Sequence, residues 1–300
     1  MSIKVKEVTK LYGKQKALDS ISFEVKSGEI VGFLGPNGAG KSTIMKIITG
    51  FIPQNSGEVF VNDTLIDPEA IEIRNQIGYL PENNPLYLDM YVREYLSFVA
   101  GMYKIKNKKE RVEEMIVQTG LSRESSKKIG QLSKGYRQRV GLAQALIHDP
   151  SVIILDEPTT GLDPNQIVEI RELIVKVAKD KTVMLSTHIM QEVEAICDKI
   201  IIIDQGKIVA KEDTKNASNI LSKNEVIIQV EFDSKLKADV LQKQKNVLEV
   251  HNTKQNVWIV KAQKDIRAEL FELAVKENFK VLSMQIVEKT LEEIFQELTK

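Results

Sequence analysis

The sequence predicts an α/β fold, a mainly parallel sheet flanked by helices, followed by a small α+β domain. Three observations predict it. Short, wholly apolar runs such as residues 152–155 and 200–203 alternate with helical patterns through the first two hundred residues, as strands buried on both faces require. A glycine-rich loop at 35–43 joins one strand to one helix. After about Lys211 the alternation gives way to a polar stretch, then to a second and shorter series of strands and helices.

Residues 3–9, 20–25, 30–34 and 57–61 read as strands, separated by Gly and Asn-Asp punctuation. Residues 41–49 read as a helix that Gly50 ends in a left-handed cap. Residues 92–103 and 108–119 form a pair of amphipathic helices, the second closed by Gly120. A helix over 136–147, the apolar strand 152–155 and a helix over 164–178 with Pro164 at its start follow. Strand 183–185, helix 189–197 and strand 200–203 complete a first domain over 1–211. Residues 212–224 read as a linker. The accessory domain, 225–300, has strand 225–232, helix 236–242, strands 247–250 and 257–260, helix 266–276, strand 280–286 and helix 291–298. Trp258 alternates with apolar neighbours and is expected half-buried. Cys197 shares an apolar face with Val193 and reads as core.

Lys plus Arg and Asp plus Glu number 42 each, so no nucleic-acid-coating surface is expected. No apolar run approaches the roughly 18 residues that cross a bilayer, and residues 1–6 lack the apolar core of a secretory signal. One cysteine excludes an internal disulfide framework and fits a reducing, cytoplasmic setting. Attachment to a membrane would therefore come through a partner.

Gly35, Pro36, Asn37, Gly38, Ala39, Gly40, Lys41, Ser42 and Thr43 have the P-loop spacing between a strand and a helix. Glycines let the backbone fold tightly enough for its amides to face phosphates, and the helix N-terminus adds partial positive charge. Lys41 is placed to reach the β and γ phosphates, and Ser42 to ligate magnesium. The apolar run 152–155 ends in Asp156 and Glu157. Asp156 can hold magnesium through water, and Glu157 can orient or deprotonate an attacking water. The plainer alternative is a pair of surface acids at a strand end. Ser133 and Gly135 open a helix, and read either as an ordinary N-cap or as a second anion site.

Taken in order, the P-loop, Leu-Ser-x-Gly at 132–135, Asp-Glu-Pro-Thr-Thr-Gly-Leu-Asp at 156–163 and Ser186-Thr187-His188 resemble the ATP-binding subunit of ABC transporters over about residues 1–210. The resemblance implies a P-loop NTPase of ABC type, with an antiparallel β subdomain and a helical insert at about 88–145. It implies ATP and Mg2+ as cofactors, Mg-dependent ATP hydrolysis, and integral-membrane permease subunits that hold the chain peripherally on the inner face of the cell membrane. It also implies a head-to-tail homodimer, or a pairing with a related ABC subunit. Two ATPs would lie between the P-loop of one protomer and the Ser133–Gly135 signature of the other. By position, Tyr12 becomes the aromatic that stacks on adenine, its alternative being a tyrosine in the turn before Gly13. Glu157 becomes the catalytic carboxylate, Asp163 the residue communicating across the dimer, and His188 the switch on the γ-phosphate.

Two departures stand out. Glu82 occupies a place where the family usually has Gln. A carboxylate there still ligates magnesium, or else it points away and water fills the gap. Lys134 and Tyr136 replace the commonest Gly and Gln of the signature, with no loss of function expected. A single P-loop, and a stretch between Lys41 and Ser133 too short for a long coiled coil, argue against soluble ABC ATPases acting on nucleoprotein or the ribosome. That class is the alternative reading.

The helices at 92–119 resemble the region that grips a membrane subunit's coupling helix, and the charge run 106–111 reads as a solvated turn. Segments 77–96, 163–166 and 188–192 more narrowly resemble a gliding-motility ABC transporter subunit. The tail 290–295 resembles multidrug- and sodium-export relatives. The accessory domain reads either as packing that stabilises the dimer or as a regulatory ligand site.

Overall fold

The structure, a computed structural model, describes residues 2–67, 71–214, 226–254 and 256–287, together with Glu292, Glu293, Phe295 and Thr299. It divides the chain into one unit of residues 1–214 with Thr299 and a second of 215–298 with Lys300.

In the first unit, β1 (Ile3–Tyr12) and β2 (Gln15–Val25) form an antiparallel hairpin that turns at Gly13, where φ is +60°. Both strands outrun the expected 3–9 and 20–25, because Lys10, Leu11 and Tyr12 go on pairing with Leu18, Lys16 and Gln15, and beyond the buried Leu18 this tip is exposed. No buried face there imposes the alternation that marks a strand in sequence. β3 (Ile30–Leu34), buried at every residue, leads through the P-loop into α1 (Lys41–Ile48), which ends where Gly50 turns at φ +65°. β4 (Ser56–Val61) and β5 (Thr64–Leu65) complete an antiparallel sheet of order β2-β1-β4-β5. α1 lies in one core with both sheets: its Ile44 and Ile48 cluster with Val5, Phe23 and Val59 of this sheet and with Val31 and Phe33 of β3. Each such side chain contributes about 1.5–3 kcal/mol when fully buried.

α2 (Ile71–Arg74) and β6 (Ile77–Leu80) precede the helical insert of α3 (Val92–Met102), α4 (Lys108–Gln118) and α5 (Lys134–Leu146). The remaining elements are β7 (Val152–Asp156), α6 (Pro164–Val177), β8 (Thr182–Thr187), α7 (Met190–Ile196), β9 (Lys199–Asp204) and β10 (Lys207–Asp213). The second sheet has the order β10-β9-β3-β8-β7-β6. Five strands are parallel, and β10 closes one edge antiparallel to β9. β10 was not expected. It carries Lys207, Lys211, Glu212 and Asp213, as edge strands do, and its pairing extends two residues into the stretch read as linker, Glu212 opposite Ile200 and Asp213 opposite Lys199. Since β3, β7 and β8 are neighbours, their C-terminal ends deliver the P-loop, Asp156 and Thr187 to one rim, where open α/β sheets bind ligands.

The insert is fastened to the sheet by side chains. Arg111 of α4 donates from Nε to the Ile147 carbonyl and from Nη2 to the Leu146 carbonyl, both at 2.8 Å, satisfying orphan acceptors at the end of α5. Just beyond α5, the His148 ring stacks on Tyr103, at the end of α3, with centroids 3.9 Å apart and planes within 4°. Its Nε2 lies 3.1 Å from the Ile77 carbonyl of β6. Burial pushes the His148 pKa down to about 4; the Ile77 carbonyl opposes this and Arg111 adds to it. The ring is therefore a neutral pin between insert and sheet.

In the second unit, β11 (Val226–Phe232), α8 (Ala238–Gln242), β12 (Val247–Lys254), β13 (Val257–Ala262), α9 (Arg267–Lys276) and β14 (Val281–Ile286) follow one another. The sheet order is β12-β13-β11-β14 with every pair antiparallel, the ferredoxin-like β-α-β-β-α-β arrangement. Ile228, Val230 and Phe232 of β11 share one core with Val260 of β13, Leu241 of α8 and Leu270 of α9. Trp258 belongs to that core and is buried, not half-buried: β13 is an interior strand, and Val257 and Ile259 take its other face. Of the helix expected over 291–298, only Glu292, Glu293 and Phe295 lie within the described residues.

The His148 pin predicts a pH signature. The unfolded chain protonates this histidine near its ordinary 6.5, the folded chain only near 4, so its contribution is complete above pH 6.5 and is lost as pH falls to 4. Allowing for its partial exposure, that loss is about 2 kcal/mol. His148→Phe keeps an aromatic against Tyr103 and should flatten the stability difference across this window, as read by urea unfolding at stepped pH. Parallel curves for the two proteins would show that the ring is not held neutral.

Candidate functional site

The P-loop owes its shape to two close approaches. A Cβ on Gly40, where φ is +110°, would sit 2.6 Å from the Ala17 carbonyl of β2, and one on Gly35 would sit 2.5 Å from the Ile203 carbonyl of β9. Glycine alone fits both places, and Gly40 then serves as N-cap of α1. Lys41, the first residue of that helix, is almost fully buried. Its Nζ donates to the carbonyls of Gly35 at 2.7 Å and Pro36 at 3.2 Å, and lies 3.5 Å from Glu157 Oε1. The ammonium is thus held by groups of its own rim, in the place where a phosphate would compete for it.

Ser42 Oγ donates to Asp156 Oδ1 at 3.1 Å, and Ser186 Oγ donates to the same oxygen at 2.6 Å. Asp156 is 1% exposed, so these donors offset much of the cost of burying a carboxylate. The next residue, Glu157, turns the chain at φ +51°, a conformation that costs a non-glycine residue about 1–3 kcal/mol. Its N–H, donating 2.9 Å to Ser186 Oγ, helps to hold that turn. The turn aims the Glu157 carboxylate at the rim. There Oε2 accepts from Thr160 Oγ1 at 3.0 Å and lies 2.9 Å from His188 Nδ1.

A cavity of about 340 Å³ is lined by Ala17, Asn37, Gly38, Gly40, Lys41, Ser42, Thr43, Glu82 and Glu157. A larger one beside it, about 510 Å³, runs from Phe51, Tyr103 and His148 past Tyr79 to Asp156. Ser42 and Glu82 line both. The smaller cavity is where Lys41 and Glu157 meet, so the chemistry belongs there despite its size. Ser42, Asp156 and Glu82 supply the oxygen donors that Mg2+ prefers. Among the described residues no three His, Cys, Asp or Glu side chains form a metal cage.

Not every expected residue lines the nucleotide cavity. Tyr12 is half-exposed near the tip of the β1–β2 hairpin, with the Lys10 ammonium 5.5 Å from its ring centroid. Ser133 caps α5 by accepting from the Tyr136 N–H at 3.4 Å, and Gly135 sits against the Gln166 side chain. Asp163 caps α6, accepting from the Gln166 N–H at 3.0 Å. Gly35, Pro36 and Ala39 work through the backbone: the first two hold Lys41, and the Ala39 carbonyl accepts from the Gly206 N–H at 3.0 Å. Two participants had been given no role from sequence. Ser186 joins Asp156 to Glu157, and Thr160 braces Glu157. The available signal was a hydroxyl at the end of an apolar strand and another three residues beyond the acid.

A family profile described as ABC transporter matches residues 18–160. Over 299 residues the chain is 34% identical to the bacitracin transport ATP-binding protein of Bacillus licheniformis, covering 99% of this chain and 96% of that one. It is 33% identical to the linearmycin resistance ATP-binding protein of Bacillus subtilis, covering 99% and 98%. Among solved structures, it superposes on a dimeric ATP-binding cassette in a post-hydrolysis state with ADP and Pi. There the TM-score is 0.65 and the identity 30%, over 71% of this chain and 98% of that one.

The Lys41 geometry predicts that Lys41→Ala weakens equilibrium ATP binding by about tenfold or more, the scale of one lost charge-assisted hydrogen bond. Titration with a fluorescent ATP analogue measures it, and unchanged affinity would remove Lys41 from the phosphate site.

Proposed function

The chain belongs to the ABC transporter ATP-binding family, and we propose that it is the ATP-hydrolysing motor of an exporter whose membrane path is made by separate permease subunits. The observation that carries this reading is the contact of Glu157 with both Lys41 and His188 at the cavity that Lys41 and Glu157 line, beside the hydrogen-bonded pair of Ser42 and the buried Asp156. Phosphate oxygens entering the P-loop take over the Lys41 ammonium from the carbonyls of Gly35 and Pro36 and from Glu157. Released from Lys41, Glu157 retains His188 and Thr160 as partners and is free to accept a proton from an attacking water. His188, 45% exposed, presents the rest of its ring to the γ-phosphate. Mg2+, held by Ser42 and Asp156 with Glu82 alongside, would neutralise charge on the phosphates.

Ser133, Gly135 and Asp163 stand outside this cavity, and their part is to close the site of a second protomer. Ser133 and Gly135 open α5, whose N-terminus suits an anion that arrives on another chain, and Asp163, which caps α6, is the residue that communicates across the dimer. The permease faces the insert. Tyr87, Phe98 and Met102 are exposed there, and the Tyr87 ring lies 5.9 Å from those of both Tyr95 and Phe98. An apolar patch of this kind marks a docking surface, and the larger cavity next to it reaches the metal end of the active site through Ser42 and Glu82. No described helix is long and apolar enough to cross a membrane.

The export direction is supported by the bacitracin transport and linearmycin resistance relatives, which align along nearly their whole length. The cargo class that these relatives suggest is an antibiotic. Gliding motility is a narrower second reading, favoured only by the segments 77–96, 163–166 and 188–192.

Glu157→Gln is expected to keep ATP binding, to lower turnover by about a hundredfold or more, and to trap a dimer on size-exclusion chromatography with ATP and magnesium. Hydrolysis at the wild-type rate would sink Glu157 as the catalytic base. The same variant, recovered with ATP and magnesium from gently solubilised membranes, should bring down a polytopic membrane protein in stoichiometric amount. Ribosomal or DNA-associated proteins in its place would favour the soluble ABC ATPase alternative.

A further inference from the structure

Beneath the catalytic rim lies a second carboxylate that the hydrolysis scheme does not use. Glu192, on α7, is 1% exposed, and its Oε1 accepts a hydrogen bond from Thr159 Oγ1, itself 3% exposed. The two residues belong to the segments on which the chemistry depends. Thr159 lies two residues after Glu157 and four before Asp163, and Glu192 lies four residues after His188, in the first turn of α7. Between Glu157 and Asp163 the backbone is folded into consecutive tight turns, Thr160 N–H to the Glu157 carbonyl at 3.2 Å and Leu162 N–H to the Thr159 carbonyl at 3.1 Å. Pro158 and Thr159 are the buried members of that folded segment; Thr160, Gly161, Leu162 and Asp163 all reach the surface.

We infer that the Thr159–Glu192 bond is a positioning link that sets His188 against Glu157 and fixes both relative to the loop bearing Asp163. Val193 seats α7 against Gly32 of β3, but apart from this bond the polar side-chain contact that joins the α7 side to residues 157–163 is that of His188 Nδ1 with Glu157 Oε2. A seven-residue helix depends on its tertiary contacts for orientation. A buried acceptor is expensive to leave unmade, so the bond has essentially one geometry, and displacing the loop on one side displaces His188 on the other. The pair thereby gives the exposed loop, the part of the site open to a second chain, a mechanical connection to the γ-phosphate switch. Neither residue touches nucleotide in this scheme; both act through His188 and Glu157.

The inference rests on the ATPase reading, and its test separates the two. ATP hydrolysis and equilibrium ATP affinity are measured on the full chain for wild type, Thr159→Val, Thr159→Ser, His188→Ala and the Thr159→Val/His188→Ala double variant, with melting temperatures alongside. Thr159→Val keeps the volume and removes the hydroxyl. It should lower kcat about tenfold while ATP affinity changes less than twofold, and Thr159→Ser should restore kcat to within about twofold of wild type. On the His188→Ala background, Thr159→Val should cost little more, because the link no longer has a switch to position. Multiplicative losses in the double variant, parallel loss of kcat and affinity, or a lowered melting temperature with kcat intact would overturn the link. A wild-type chain that does not hydrolyse ATP would instead overturn the ATPase reading itself.

Discussion

A single buried oxygen, Asp156 Oδ1, organises the active rim. Ser42 reaches it from the helix after the P-loop and Ser186 from the end of β8, while Asp156 itself ends β7. A carboxylate this deeply buried is tolerated only where donors meet it, so the three segments cannot drift apart without exposing an uncompensated charge. Register follows from the same demand. Asp156 stands opposite Ser186, and Leu34 opposite Thr187. A one-residue slip of β8 would turn the Ser186 hydroxyl to the other face of the sheet and strand the acid. The apolar strands supply the energy for this arrangement, and the carboxylate supplies its precision.

Lys41 and Glu157 extend that logic to charge. Both are nearly buried, and each is held by groups that bound phosphate would replace or share. A buried ion pair adds little to stability, because desolvation consumes most of the Coulombic gain. What it adds here is orientation. The ammonium is already at the P-loop, and the carboxylate, forced round by its positive φ, already faces His188 and Thr160. The site is therefore preorganised, and ligand binding exchanges partners more than it rebuilds structure.

The elements around the rim differ in how firmly they are tied to it. The insert is fastened by specific polar contacts, chiefly Arg111 on the end of α5 and His148 between Tyr103 and Ile77, and its outward face keeps several aromatic side chains in solvent. The ferredoxin-like unit has its own core around Phe232, Trp258 and Leu270.

By itself the sequence determined the nucleotide chemistry and the order of most elements. The P-loop, the acid pair at the end of an apolar strand and Ser133 and Gly135 at a helix start are contiguous motifs, whose meaning rests on local backbone geometry and one or two turns of helix. Only the tertiary structure decided which hydroxyls hold Asp156, since Ser42 and Ser186 lie 114 and 30 residues from it and meet it through strand order. The same holds for the Thr159–Glu192 bond, across 33 residues. Exposure was misread at Trp258, because alternation reveals that a strand has two faces but not that the strand is interior. β10 went unread because an edge strand half-open to solvent alternates charged with apolar residues no more clearly than a loop does. Local motifs specify the chemical groups; the long-range strand order specifies which of them meet.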